Sequence, residues 1–180
     1  MTTGQRSGFR MWRTRAACAL ALLLSLTNQA GAQFATAGAA STTTVKVEGV
    51  SSCTTTLGSG TFGVAAWAWG ENQSVTTGVG RVSFHDLSIT KSLDACSPAL
   101  ALATARGNRY TRITLTQYDK NSNVLVTVLV ENALVSSYVI NGSQISESPT
   151  ESISFSFAKI TVTHASGSKF TFDTTTNTGN

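Results

Sequence analysis

Residues 109–140 read RYTRITLTQYDKNSNVLVTVLVENALVSSYVI. The first ten and the last seventeen are rich in β-branched and aromatic side chains, and the five between, Asp119-Lys120-Asn121-Ser122-Asn123, are all turn formers. Two extended runs joined by such a turn predict an antiparallel hairpin of strands at about 109–119 and 123–140. The segment from Val124 to Val130 is apolar on both faces apart from Thr127. A strand with one face in water has no use for that, so part of this surface needs a cover. The helix, the second layer of a barrel, or another subunit through Val124, Val126, Val128 and Val130 could each provide it.

Working outward from the hairpin, the same pattern recurs. Strands are expected at about 44–49, 62–71, 79–91 and 150–164, with a weak seventh at about 168–173, separated by Asn141-Gly142 and Ser166-Gly167. Residues 174–180 read as a frayed end. One helix interrupts the strands, with Ser97 at the N-cap, Pro98 at N1, an Ala/Leu-rich body to Arg106 and Gly107 past the end. Leu100 and Ala103, with Leu102 nearby, are its expected contacts.

Alternation also locates changes of face, because successive strand side chains point oppositely. Val82 and Phe84 share one parity and Leu87 and Ile89 the other, and Ile153, Phe155 and Phe157 give way to Ile160 and Val162. Bulges are expected near His85-Asp86 and Ala158-Lys159, and bent strands suit a small barrel. The fold class is therefore all-β and mainly antiparallel, a barrel of six to seven strands at about 44–173 with one short helix.

The whole chain has 180 residues, with 28 Thr and 22 Ser against only 12% charged. That length fits one domain, and the composition excludes a coiled coil. Arg6, Arg10, Arg13 and Arg15 precede an apolar run from Ala16 to Leu26, which is followed by Ala30-Gly31-Ala32. A basic start, a run of about eleven apolar residues and small residues at the end describe a secretory leader, since a spanning helix needs roughly 20. Residues 1–32 are read as a signal peptide cleaved after Ala32, with 33–43 as a flexible lead-in; a secreted or periplasmic product follows.

Losing the leader removes four of 13 cationic residues and no acid, which leaves 9 against 9. The basicity thus belongs to the targeting segment, and the argument from charge to nucleic acid or an anionic membrane has no premise. Cys53 and Cys96 remain, in an oxidising compartment. Either they form a disulfide, closing a loop worth roughly 3–4 kcal/mol, or they are two buried thiols.

Motifs for chemistry are sparse. Gly58-x-Gly60-x-x-Gly63 has the spacing of a dinucleotide fingerprint, but the residues after it read as a strand, with no helix to receive a pyrophosphate. Asp119-x-Asn121-x-Asn123 begins like a calcium loop and then has Val124 where Gly is needed and Val130 where Glu is needed. The histidines, His85 and His164, are too few for a protein-only zinc site. His85 and Asp86 are neighbours on a strand and face apart unless a bulge realigns them. No cofactor or metal is expected, and an exported hydrolase or toxin built on His85 and Asp86 is the rival to a non-enzymatic reading.

Three segments carry a resemblance. Trp67-Ala68-Trp69-Gly70 comes first, then the run Phe84-His85-Asp86-Leu87-Ser88-Ile89-Thr90-Lys91 through Asp94 to Ser97-Pro98-Ala99-Leu100, and last the run 151–160, ESISFSFAKI. In this order, over roughly 44–165, they resemble the haemolysin-coregulated protein family, Hcp, which forms the tube of type VI secretion systems. The resemblance implies a β-barrel with one helix, a homohexameric ring that stacks into a tube, no cofactor, and a lumen able to hold protein effectors. Two features depart from it: the export leader, and a loop at about Asn72 to Gly80 that is short beside the family's stacking arm. The expectation is an exported Hcp-like member that acts as a structural or carrier component. A tube subunit whose true start lies downstream of Met1 is the other way to account for the leader.

Overall fold

The computed structural model describes residues 41–50, 52–74, 81–142 and 148–180. The expected leader, its cleavage site and the lead-in before Ser41 lie outside these residues. The strands are β1 (Thr42–Val47), β2 (Thr54–Thr55), β3 (Gly58–Ser59), β4 (Thr61–Val64), β5 (Ala66–Ala68), β6 (Glu71–Ser74), β7 (Arg81–Phe84) and β8 (Leu87–Ser92). After helix α1 (Ser97–Arg106) come β9 (Arg109–Tyr118), β10 (Val124–Asn141), β11 (Thr150–Ser156), β12 (Lys159–His164), β13 (Lys169–Asp173) and β14 (Thr178–Gly179). Thr42 and Thr43, placed in the lead-in by the sequence reading, already belong to β1.

The β9–β10 hairpin is the spine. Its turn is closed by the Asp119 carboxylate, whose Oδ1 accepts the N–H groups of Asn121 and Asn123 at 2.8 Å each, while Oδ2 accepts Asn123 Nδ2 at 3.0 Å. The Asn123 side chain, first among these donors, holds the Asp119 carboxyl below its ordinary pKa. What began like a calcium loop is an Asx turn.

β10 pairs with β9 along one edge. On the other edge it pairs first with β12, over Val126 to Glu131, and then with β11, over Leu134 to Asn141. One long strand thus serves two layers, and it turns between them where its inward parity changes. Val128 and Val130 are buried, Glu131 and Asn132 both point out, and Ala133 and Val135 are buried again; Asn132 has φ +51°. The partner strand turns at the same height, with Thr111 and Arg112 both outward between buried Tyr110 and Ile113. Paired face changes of this kind make a corner in the sheet.

The ladders of the main sheet join ten strands, in the order β14-β13-β12-β10-β11-β8-β5 with β9, β1 and β4 continuing from β10, all antiparallel. The expected all-β, mainly antiparallel class with one short helix is what the chain forms, and among the described residues no ladder closes the sheet into a barrel. β4 pairs with β1 and β5 pairs with β8, and only Ala65 separates β4 from β5, its N–H bonded to Thr90 O at 2.8 Å. The chain itself crosses the gap there, so the sheet is rolled but not sealed by hydrogen bonds.

The strand count differs from six or seven for the same reason. Expected strands break at their corners: 62–71 at Ala65, 79–91 at His85-Asp86, and 150–164 at Phe157-Ala158. The face changes read from sequence are real, and at the last two sites they interrupt the strand instead of bulging it. The tail is a further correction. Residues 174–180 do not fray: β14 pairs with β13, and Thr171 and Asn180 exchange backbone hydrogen bonds at 2.9 and 3.0 Å.

Helix α1 sits across one end of the core. Leu100 and Ala103 are buried as expected, while Leu102 is 47% exposed. Gly107, at φ +64°, ends it in the left-handed conformation glycine tolerates, and Asn108 N–H returns to Ala103 O at 3.0 Å. The N-cap is Cys96 and not Ser97, with no side-chain capping bond. The Ser97 hydroxyl is engaged elsewhere.

Candidate functional site

The most concentrated set of polar groups lies under the start of α1. β8 sends Leu87, Ile89 and Lys91 inward, and β11 sends Glu151, Ile153 and Phe155 inward, with Lys91 and Glu151 directly opposite in register. Lys91 Nζ lies 2.5 Å from Glu151 Oε1 and 2.8 Å from Asp94 Oδ1. It also donates to Ser92 O at 3.0 Å and to Ser97 Oγ at 3.3 Å, and it stands 5.1 Å from the Phe62 ring centroid. Ser97 Oγ donates to Glu151 Oε1 at 3.0 Å and accepts Asp94 N–H at 2.9 Å. The second carboxylate oxygen of Glu151 accepts Tyr138 OH at 2.5 Å.

Lys91 and Glu151 are 1% and 0% exposed. Opposite charges in a low-dielectric interior are tolerable when paired and hydrogen-bonded, as these are, and either one alone is not. Burial, and then donation to the Glu151 carboxylate, push the Tyr138 phenol up to about 12. Lys91, Ser97 and Glu151 at the centre of this network are buried while Asp94 and Tyr138 at its edge are partly exposed, and together they tie α1 to β8, β10 and β11.

The disulfide makes the neighbouring tie. Cys53 and Cys96 are joined, with Cα atoms 4.6 Å apart and both residues buried. Cys96 N–H donates to Asp94 Oδ1 at 2.8 Å, so the bond reaches the same cluster. Gly60 belongs to this corner too. It donates to Cys53 O and accepts from Val47 N–H, both at 2.8 Å, and a Cβ on it would lie 2.6 Å from Val47 O. Gly60 thus serves close backbone packing, and its N–H is already used.

His85 and Asp86 do not work together. His85 is exposed and its Nε2 accepts Asn72 Nδ2 at 2.7 Å, whereas Asp86 Oδ2 accepts the Ser136 hydroxyl. A cavity of about 290 Å³ borders both, beside Phe84, Phe157, Ser83, Ser156 and Thr174. None of those hydroxyls is a partner of His85 among the described residues. Likewise, among the described residues no three His, Cys, Asp or Glu side chains gather where a metal could bind, and no helix is long and apolar enough to cross a membrane.

The four valines offered as a subunit contact share one face, and their burial deepens along the strand from Val124 to Val130. Val128 and Val130 are 1% and 0% exposed and belong to the core, Val126 packs partly against it, and only Val124 is exposed. Between Val124 and Val130 the outward parity is taken by Leu125, exposed, and Leu129, half-buried, which no alternation rule could select while both faces were apolar. Val128→Ala is expected to cost about 2 kcal/mol and Leu125→Ala no more than about 0.5 kcal/mol, read from the midpoint of urea unfolding. Equal costs would contradict this assignment of faces.

Sequence reasoning missed the Lys91–Glu151 pair, although its signal was present: each charge occupies the inward parity of an otherwise apolar strand.

Comparison with known proteins follows the geometry. The family described as "Type VI secretion system effector, Hcp" matches residues 41–164. Hcp1 from Salmonella typhimurium superposes with a TM-score of 0.68 at 20% identity, covering 78% of this chain and 99% of that one. A type VI secretion system effector from Yersinia pestis gives 0.62 at 20%, covering 73% and 98%. The secreted protein Hcp3 from Pseudomonas aeruginosa gives 0.54 at 19%, covering 74% and 96%. No curated protein matches the chain. At these identities the structures speak for the fold, and the family match spans well over half of the sequence; the chain belongs to the Hcp family of type VI secretion system proteins.

Proposed function

We propose that this chain is an exported, non-enzymatic member of the Hcp family that assembles with copies of itself into a ring, six-membered as the resemblance implies, and acts as a structural or carrier component. The observation that carries the reading is the fate of the charged groups. Among the described residues the densest cluster of acid, base and hydroxyl has its centre, Lys91, Ser97 and Glu151, buried in the protein, joining α1 to the sheet, where it serves shape and not turnover. The basic and apolar N-terminal run supports export, as does the disulfide, a bond that persists in oxidising compartments.

The test is to express the full chain with its own leader and recover the exported fraction. Intact mass should correspond to residues 33–180 less the two hydrogens of one disulfide, and light scattering should return a multiple of the protomer mass. A strict monomer at high micromolar concentration refutes the ring. A product that stays inside the cell with residues 1–32 attached refutes export and supports a secretion-system subunit with a misplaced start.

A further inference from the structure

We propose that the outer face of β9, β10, β12 and β13 docks onto the same face of a second copy, about a two-fold axis that runs along the strands between β10 and β12. This contact is separate from ring closure, which joins unlike surfaces.

The register of the ladders supplies the argument. Arg112, Glu131, Lys159 and Asp173 are consecutive cross-strand partners on these four strands, so they form one row across the outer face. Its charges alternate positive, negative, positive, negative. Two identical faces meet by turning about an axis in the plane between them. Turning about the strand direction lays each row on its own copy with the strand order reversed. Arg112 then lies opposite Asp173 of the partner subunit, and Glu131 opposite Lys159 of the partner subunit, so all four contacts join opposite signs. Turning about the perpendicular in-plane axis sets each charge on its own copy when the axis follows the row, and carries the row onto an uncharged one when the axis lies off it.

Three of the charged heads are open to a partner, and Asp173, half-buried, has its Oδ1 held by the N–H groups of Thr175 and Thr176. The side chains of Arg112, Lys159 and Glu131 are 51%, 42% and 29% exposed, even though Glu131 stands 3.7 Å from Arg112 and 3.4 Å from Lys159 within the chain. The next row, Thr114, Leu129, Thr161 and Thr171, is uncharged and half-buried. It allows two sheets to approach to the roughly 10 Å of face-to-face packing. The dock would also cover Leu125 and Leu129, the apolar groups that β10 turns away from the core.

The test uses the exported protein carrying Thr114→Cys and Thr171→Cys together. Within one chain these positions are three strand spacings apart, about 14 Å, too far to bond. Across the proposed axis each faces the other's copy. Sheets packed roughly 10 Å apart hold facing Cα atoms too far apart for a direct disulfide, so the reagent is a short bis-maleimide with a reach of about 8 Å; it should give a covalent dimer of the double variant on denaturing electrophoresis, and neither single variant should cross-link. Arg112→Asp should weaken self-association at least tenfold by sedimentation, because it sets like charges opposite one another, and added salt should weaken the unmodified contact. A double variant that stays uncross-linked, single variants that cross-link equally well, or an indifferent Arg112→Asp would each overturn the dock. A ring mass that survives such a result would leave the ring reading standing.

Discussion

Lys91→Met lowers the unfolding free energy by about 3–5 kcal/mol, the cost of leaving one member of a buried ion pair without its partner. The variant leaves the Glu151 carboxylate, fully enclosed, with only the hydroxyls of Ser97 and Tyr138 for company. Glu151→Gln should cost a similar amount by stranding the ammonium, although Asp94, 28% exposed and 2.8 Å away, still shares its charge. Replacing both Lys91 and Glu151 by Met removes two desolvated charges at once, and its cost should fall well below the sum of the single losses. Against domains that hold only about 5–15 kcal/mol in all, a single loss of this size is visible in any urea titration followed by Trp67 and Trp69 fluorescence. Strictly additive single and double variants would show that the pair is not coupled and that the network does not hold α1.

The same network sets an alkaline limit. Tyr138 ionises at about 12 in the folded protein and near 10 when unfolded. Above the unfolded value the unfolded chain has given up a proton that the folded one keeps, so stability declines as pH rises from about 10 towards 12 and is fully present below. Tyr138→Phe should remove that part of the decline.

Much of this architecture could be read from the chain because its signals are local. The turn at Asp119 to Asn123, the helix stop at Gly107 and the parity changes at His85-Asp86 and Phe157-Ala158 are fixed by residues within a few positions of one another. The helix start shows the limit of such signals. Ser97 and Pro98 mark it correctly, but the serine hydroxyl is spent on Glu151, 54 residues away, and the cap falls to Cys96. Corners that need two strands to turn together, as at Arg112 and Glu131, depend on register, and register is set by pairing partners that the sequence does not name. For the same reason the strand from Val124 to Val130 revealed that it was two-faced without revealing which face was core. The C-terminal hairpin was hidden by composition: Thr174, Thr175 and Thr176 look like a frayed tail until the Asp173 carboxylate accepts the Thr175 and Thr176 N–H groups and turns the chain back.

Function follows the same division. Family membership was legible because its segments are contiguous, whereas the surface that would meet a second copy is assembled from four strands and cannot be seen along one. The chemistry that a reader of sequence would look for first, at His85 and Asp86, is divided between Asn72, on the separate β6–β7 hairpin, and Ser136, on β10 of the main sheet. The charges of Lys91 and Glu151 gather inside the protein, whereas Arg112, Glu131, Lys159 and Asp173 form a row across the outer face of the sheet.

Cys53→Ser with Cys96→Ser should cost about 4 kcal/mol, the loop-closure entropy released when a crosslink spanning 43 residues is removed. The loss falls on the junction of three parts: the 53–60 segment behind Gly60, the first turn of α1, and through Asp94 the Lys91 cluster. Because both sulfurs lie in the core, a reductant reaches them only when the protein opens. A phosphine reductant should therefore leave the folded protein oxidised for hours and reduce it promptly in denaturant. Protein made without its leader in a reducing cytoplasm never gains the bond and should unfold at lower urea than the exported form, by the same margin as the double serine variant. That equality is the decisive comparison, since it ties stability to the compartment. If the reduced and oxidised forms unfold at the same urea concentration, the crosslink is incidental and the link between export and folding fails with it.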